Sequence, residues 1–385
     1  MKKLQLTTRR RIHKSQGERH ATWLELFFDL IAVVAVARLG FYLHTDHSLT
    51  GLVTFIGLFA VIWWIWISYS YFADIFDNDS IFDRLVQFAG MAGLALVALS
   101  LPGSQTADPL LFAAANIGLF MLLGVVYFIS GRSEAKAREL SHWYTAGSLS
   151  GALLWGVSLF IDAPGHYYLW GAAVLVNALL SGPIAYALMR HTPQQDSHMP
   201  ERFGLFLIIV LGEVILATIN GIAEVHLSSA GIVVGLAGFI IAASIWWLYF
   251  NHFDDRLITK AIQRGSGAQV RSFIYGYGHL LVYAAIVVLG VGFELAIEHN
   301  GTAEPLIGIG IAGIMCGFVL TSIGNGNAVH YILTFYKILI AATGILCATL
   351  TIPAIWSCLL LGLALLLLIP AEARLADDKK ALRLN

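Results

Sequence analysis

The chain has 385 residues, of which 58% are hydrophobic and 12% are charged, and its formal net charge is −1. A soluble domain carries about 25% charged residues, so this composition excludes an ordinary soluble globular protein. Apolar runs of 18 or more residues recur along the whole chain, and each is long enough to cross a hydrocarbon core of about 30 Å. The predicted fold class is therefore all-α, a polytopic integral membrane protein.

Twelve apolar segments are predicted to be transmembrane helices. The breaks between them are rich in Pro, Gly and polar residues, as in "LPGSQTADP" and "RHTPQQDSHMPER", which favour turns. The division between the last two spans is the weakest, because only "TIP" marks it, and eleven or thirteen spans also fit the pattern. The predicted spans are 23–43, 51–73, 85–101, 109–130, 142–161, 166–189, 203–222, 229–250, 272–297, 305–322, 331–351 and 353–370.

The basic residues lie on one side of these predicted spans. Of the 23 lysines and arginines, 21 fall in the amino-terminal segment, in every second loop or in the tail. The other two, Arg38 and Lys337, lie within spans. Because lysine and arginine accumulate in cytoplasmic loops, both termini are predicted to be cytoplasmic. The seven cations of residues 1–22 are expected to attract anionic lipids.

The two halves of the chain share the order of several features. "IWWIWISYSYFADIFDNDSIFDR" at 62–84 and "IWWLYFNHFDDR" at 245–256 both run from an aromatic helix end into acids and close with Asp-Arg. A parallel repeat of six helices plus six would explain this order, although aromatic belts alone also produce Trp-Tyr clusters. The predicted organisation is a basic segment at 1–22, a first half at 23–190, a second half at 191–370 and a cytoplasmic tail at 371–385.

Ionisable residues inside the spans require an explanation, because a charge at the bilayer centre costs at least ~2.5–3.5 kcal/mol. Glu25 and Asp29 lie one turn apart on the same face of the first helix, so their like charges repel. A cation must therefore lie nearby, or one carboxyl group must hold a proton. Glu213 lies ten residues into its span, near the middle of the membrane, and is the first candidate for a functional acid.

His279 and Lys337 lie about two turns into their own spans, at nearly the depth of Asp29. Acids, a histidine and a lysine at matching depths are the groups that a proton relay or an ion-coupled site requires. A purely structural network of ion pairs would use the same residues. The predicted ion- or proton-binding candidates are Glu213, Asp29, Glu25, His279 and Lys337.

Acids and Asp-Arg pairs at the cytoplasmic boundary form a second group of candidates. Asp74, Asp77, Asp79 and Asp83, mirrored by Asp254 and Asp255, are of the type that binds a divalent metal beside a lipid head group. They are equally typical of solvated loop charges, and no metalloprotease, nucleophile-elbow or P-loop pattern accompanies them. The predicted acidic and basic motif comprises Asp77, Asp83, Arg84, Asp254, Asp255, Arg256, Glu201 and Arg202.

Three motifs stand out along the chain: "LELFFDL" at 24–30, the Asp-Arg pair at 83–84, and "ERFGLFLIIVLGE" at 201–213. They resemble the bacterial low-temperature-requirement protein A (LtrA) family, whose pattern carries Glu25, Asp29 and Glu213. The family usually has serine after the second glutamate, where this chain has Val214. The resemblance implies a bacterial integral membrane protein, expected in the inner membrane, and it supplies no substrate.

Three functional hypotheses are compatible with the sequence. The leading one is a proton- or cation-coupled transporter or channel-like protein that uses intramembrane carboxylates and acts on a small ion or solute. The first alternative is a membrane-embedded enzyme acting on a lipid or lipid-linked substrate, and the second is a non-catalytic lipid-sensing or assembly protein. No nucleic acid, cofactor or resident metal is expected.

Overall fold

The computed structural model describes residues 21–76, 80–101, 106–188, 198–225, 228–251, 268–299, 301, 304–324 and 331–384. Within these ranges all regular structure is helical apart from isolated turns, which confirms the predicted all-α class. The helices are α1 (Trp23–Thr45), α2 (Leu49–Phe76), α3 (Ile81–Leu99), α4 (Pro109–Ser133), α5 (Arg138–Ser158), α6 (Gly165–Ser181), α7 (Pro183–Leu188), α8 (Met199–Glu224), α9 (Ser229–Phe250), α10 (Ala268–Glu298), α11 (Pro305–Gly324), α12 (Tyr331–Thr349) and α13 (Ala354–Leu384).

A described helix lies at the position of each of the twelve predicted spans. Eleven of the described segments are long and apolar enough to cross a membrane, and the sixth of the predicted spans consists of α6 followed by the short α7. The remaining span corresponds to α5, a helix of 21 residues whose first turns are the polar "RELSHW". The chain is therefore a polytopic α-helical membrane protein.

Capping residues set the starts of several helices. At α1, the Thr22 hydroxyl accepts a hydrogen bond from the Glu25 backbone, and the Glu25 carboxylate accepts one from the Thr22 backbone. Ser80 and Asp83 form the same reciprocal arrangement at α3. Such caps satisfy amide groups that a helix start leaves without partners. This explains why α3 begins four residues before its predicted start and includes charged residues that the sequence places in a loop.

The chain divides into two compact units, residues 1–203 and 204–385. In the first unit α1 packs against α2 and α3, α4 packs against α5, and α5 packs against α6. Its interior is strongly aromatic, with Trp66, Tyr69 and Trp155 buried. In the second unit α10 packs against α9 and α11, and α13 packs against α9 and α12.

Glycines permit close helix contacts within each unit. In the first unit, Gly151 of α5 faces the Asn177 side chain and the Ala173 carbonyl of α6. In the second unit, a Cβ atom at Gly308 of α11 would lie 2.1 Å from the carbonyl oxygen of Gly344 in α12. Small residues allow backbones to approach to this extent. The contact between α11 and α12 therefore requires glycine on both sides.

We expect Gly308→Ala to destabilise the protein by about 1–3 kcal/mol, because the added methyl group would force α11 and α12 apart. Gly118→Ala in α4 is the matched control, since no described atom lies within 4 Å of a Cβ atom placed there. That change should be neutral or slightly stabilising through helix propensity. Thermal unfolding in detergent tests this, and equal shifts of the melting temperature in both variants would contradict the close contact.

Candidate functional site

The acids of α1 lie on its buried face, inside the first unit. Glu25 is 1% exposed and Asp29 is 0% exposed, whereas the apolar Phe27, Leu30 and Val34 on the other faces are about half exposed. This is the reverse of a soluble amphipathic helix, and it is the arrangement that lipid favours. The carboxylates of α1 therefore face protein and depend on protein partners.

The first group of partners is centred on His198, which directly precedes α8. Its Nε2 lies 3.0 Å from Glu25 Oε1, and its Nδ1 lies 2.6 Å from Asp74 Oδ1 at the end of α2. The His198 backbone amide also donates a hydrogen bond to Asp74 Oδ1 at 3.1 Å. The other Glu25 oxygen, Oε2, accepts a hydrogen bond from the Thr22 amide at 2.7 Å. The imidazole ring thus bridges carboxylates of two helices.

The second group of partners is centred on Asp29. Its Oδ1 accepts hydrogen bonds from Arg202 Nη2 in the first turn of α8 and, at 2.7 Å, from Trp66 Nε1 in α2. The Arg202 side chain is 1% exposed and also lies near the Trp66 ring, at 5.9 Å from the ring centroid. Phe203 packs edge-on against the same ring. This ion pair is therefore completely enclosed.

Two polar atoms of the enclosed pair lack hydrogen-bond partners among the described residues. They are Asp29 Oδ2 and Arg202 Nε. Buried polar atoms are almost always hydrogen-bonded in folded proteins, and those that are not commonly mark a functional or solvent-binding position. Asp29 therefore keeps one oxygen with the capacity to accept a proton or a polar ligand.

The two groups form a ladder with matched spacing. Glu25 and Asp29 are four residues apart in α1, and His198 and Arg202 are four residues apart at the start of α8. Each acid meets one cation, Glu25 with His198 and Asp29 with Arg202. Residues four apart share a helix face, so both rungs can form at once. We call Glu25, Asp29, Asp74, His198 and Arg202 the ionic cluster.

The pKa of His198 reflects this setting. Burial lowers the pKa, but hydrogen bonding to Asp74 and Glu25 and their negative charges raise it by more, to about 9. His198 lies just outside the membrane-spanning helices. Since its ordinary value is 6.5, the ring is protonated at neutral pH, and the cluster holds it as a cation.

The other predicted ion-binding candidates lie in the second unit and have separate surroundings. Glu213 is half-buried in α8. His279 is fully buried, with Nδ1 2.7 Å from the Tyr275 carbonyl oxygen and Nε2 2.8 Å from the Tyr249 hydroxyl. Lys337 Nζ lies 2.8 Å from Glu372 Oε1, which supplies the carboxylate that an intramembrane lysine requires. Within this unit, the structure gives His279 and Lys337 different polar partners.

Part of the predicted acidic and basic motif is also placed. Asp83 caps α3, and Arg84 follows it in the first turn. Glu201 and Arg202 lie in the first turn of α8. The prediction that Arg202 belongs to a cytoplasmic loop is wrong, because α8 begins at Met199 and Arg202 is buried. Outside the described residues lie Asp77, Asp254, Asp255 and Arg256.

The geometry gives no support to a metal site at Asp74 and Asp83, the described members of the predicted metal-binding acids. Asp74 is paired with His198, and the Asp83 carboxylate accepts a hydrogen bond from the Ser80 hydroxyl at 2.6 Å. Each carboxylate is engaged in its own local contact, whereas a hard divalent cation takes several converging oxygen ligands.

Sequence reasoning missed His198 and Trp66 as partners of the acids, and it treated Asp74 only as a metal candidate. One signal was present in the chain. A pair of acids four residues apart is matched by cations with the same spacing, and His198 with Arg202 supplies that spacing directly before the predicted span 203–222. Trp66 carries no comparable signal, since nearby tryptophans in the same helix have the same appearance in sequence.

Comparisons with known proteins agree with the motifs. The family model described as Bacterial low temperature requirement A protein (LtrA) matches residues 20–371, a range that contains the whole ionic cluster. An uncharacterized protein of Rhizobium meliloti (strain 1021) is 27% identical over 316 residues, covering 74% of this chain and 75% of that protein. No solved structure matches the chain. Since the family match extends over most of its length, the chain belongs to the bacterial LtrA family.

Proposed function

We propose that this multi-pass membrane protein moves a small ion or solute across the bilayer, and that the ionic cluster binds the coupling proton or cation. The observation that carries the proposal is the burial of three carboxylates, one histidine and one arginine at the ends of membrane-spanning helices. Ionisable groups enclosed in this way are typical of proton relays and ion pathways.

Two features of the cluster favour a working site over a purely structural latch. Asp29 lies about 9 Å into α1 and has an oxygen without a hydrogen-bond partner among the described residues. His198, unlike an arginine, is a cation that can release its proton when its contacts with the carboxylates change. In a purely structural cluster an arginine could replace His198, and every carboxylate oxygen would have a hydrogen-bond partner.

The proposal extends to the setting of the protein in the cell. We place it in the bacterial inner membrane with both termini in the cytoplasm, because the basic residues of the sequence follow the positive-inside pattern. In that orientation, the cations of residues 1–22 would meet the anionic lipids of the cytoplasmic leaflet. The ionic cluster would then lie towards the cytoplasmic side.

Flux measurements in proteoliposomes test the proposed function. Purified protein is reconstituted, gradients of H⁺, Na⁺ or K⁺ are imposed in turn, and the internal ion is followed with a selective dye. We expect at least one gradient to dissipate faster than in protein-free vesicles, and Asp29→Asn to reduce that rate at least tenfold. The substitution keeps the side-chain size and removes the charge that pairs with Arg202.

Asp162→Asn is the matched control, because Asp162 is an exposed acid between α5 and α6 and should leave the rate unchanged. Size-exclusion chromatography establishes that each variant is folded before reconstitution. A wild-type rate equal to that of empty vesicles, or equal rates for wild type and Asp29→Asn, would contradict the proposal.

A further inference from the structure

We infer that the coupling ion is a proton and that His198 holds it while the ring contacts both Glu25 and Asp74. Asp29 and Arg202 form a permanently charged pair that positions His198. The inference rests on the proposed function and specifies the ion that the site takes. It follows from how the imidazole ring is held rather than from the presence of charge alone.

Both ring nitrogens of His198 face carboxylate oxygens. An ionised carboxylate accepts hydrogen bonds and cannot donate them. Nε2 faces Glu25 Oε1 at 3.0 Å and Nδ1 faces Asp74 Oδ1 at 2.6 Å. The Nδ1 contact is short but is not aligned as a hydrogen bond. A neutral imidazole has one N–H donor and one lone pair, so it would still turn a lone pair towards one of the two nearby carboxylates. The imidazolium ion places a positively charged ring against both. The group therefore contains one more proton than its neutral form, held between two acids.

The same geometry disfavours a metal cation at this position. A metal would require a lone pair on an imidazole nitrogen, and both nitrogens are occupied by carboxylate contacts. Sodium and potassium ions prefer cages of oxygen atoms, and here the guanidinium group of Arg202 adds a positive charge one turn further along. Of the described groups that face His198, Glu25 belongs to α1 and Asp74 to α2, and Arg202 with its partner Asp29 completes the charged surroundings.

The arrangement also gives a route for releasing the proton. Glu25 and Asp74 belong to different helices, and His198 belongs to the segment that opens α8. If that segment moves away from either helix, the imidazolium ion loses one carboxylate and binds its proton less tightly. The pKa of His198, raised to about 9 by the two acids, would then fall towards its ordinary range. Release leaves a neutral imidazole and transfers the proton to water, and no other reactant is needed.

A nuclear magnetic resonance titration tests where the proton resides, independently of transport. Protein labelled with ¹⁵N-histidine is placed in nanodiscs, and the ring resonances of His198 are assigned by their loss in His198→Gln. We expect the wild-type ring to remain imidazolium beyond pH 8. The midpoint of the His198 titration should fall by at least one pH unit in each of the single variants Glu25→Gln and Asp74→Asn. It should be unchanged in Asp162→Asn. A ring that is neutral at pH 7, or a midpoint that neither variant moves, would overturn the inference.

Flux measurements then separate the two claims. We expect an H⁺ gradient to drive flux, and Na⁺ and K⁺ gradients to drive none. His198→Gln should reduce the H⁺ flux at least tenfold. Flux that is driven by Na⁺, depends on Asp29 and survives His198→Gln would leave the proposed function intact and defeat the proton assignment. The expected titration without any flux would defeat the proposed function and leave His198 as a proton-binding group.

Discussion

Replacing Arg202 with alanine is expected to destabilise the protein by about 3–5 kcal/mol, more than any other single change in the cluster. Arg202 and Asp29 are both completely buried, so the substitution leaves a carboxylate without its counter-charge in a medium that cannot solvate it. Removing one partner of a buried ion pair generally has an effect of this size. Thermal unfolding in detergent, or unfolding in mixed micelles, measures the loss.

Two comparisons make the prediction specific. Arg38→Ala is the matched control, because Arg38 also lies in a membrane-spanning helix, α1, but is exposed, and we expect little change. The double variant Asp29→Leu with Arg202→Met should recover most of the lost stability, since apolar residues of similar size can replace a buried pair. Arg202→Ala as stable as Arg38→Ala would show that the ion pair is not enclosed as described.

Stability is expected to decrease as the pH rises from about 6.5 to 9. The pKa of His198 is about 9 in the folded protein and ordinarily 6.5, so the folded state binds this proton more tightly than the unfolded state. The corresponding contribution is fully present below the unfolded value and is lost as the pH passes through the folded value. The difference between the two values amounts to roughly 3 kcal/mol. Chemical unfolding at a series of pH values measures this slope.

Asp74→Asn provides the control for the pH dependence. It removes one of the two charges that raise the pKa of His198 in the folded protein, so the decrease should become smaller and be complete at a lower pH. His198→Gln should remove this part of the pH dependence altogether. A slope between pH 6.5 and 9 that is the same in all three proteins would mean that another group is responsible.

The fold was largely predictable from the sequence because one physical requirement dominates it. In a bilayer, backbone groups must be paired within the segment, so each long apolar run must be helical. Helix ends were less predictable, since they depend on local caps. Asp83 and Arg202 are charged and looked like loop residues, yet both lie in first helical turns.

The site was predictable in part. The spacing of Glu25 and Asp29 implied that a cation or a proton must be close, and Arg202 and His198 meet that requirement. The sequence did not show which cations pair with Glu25 and Asp29, because His198 and Arg202 come several helices later in the chain, at the end of a polar segment. Depth alone grouped Asp29 with His279 and Lys337, but depth gives no information on the direction in which a helix face points.

The ladder between α1 and α8 also constrains how the chain is made. Glu25 and Asp29 each precede their cationic partner by 173 residues. At a synthesis rate of about 5–20 residues per second, the first helix leaves the ribosome roughly 10–35 s before His198 and Arg202 exist. During that interval its two carboxyl groups must stay at the edge of the bilayer or remain protonated, so the charged pairs with His198 and Arg202 can form only after the start of α8 has been made.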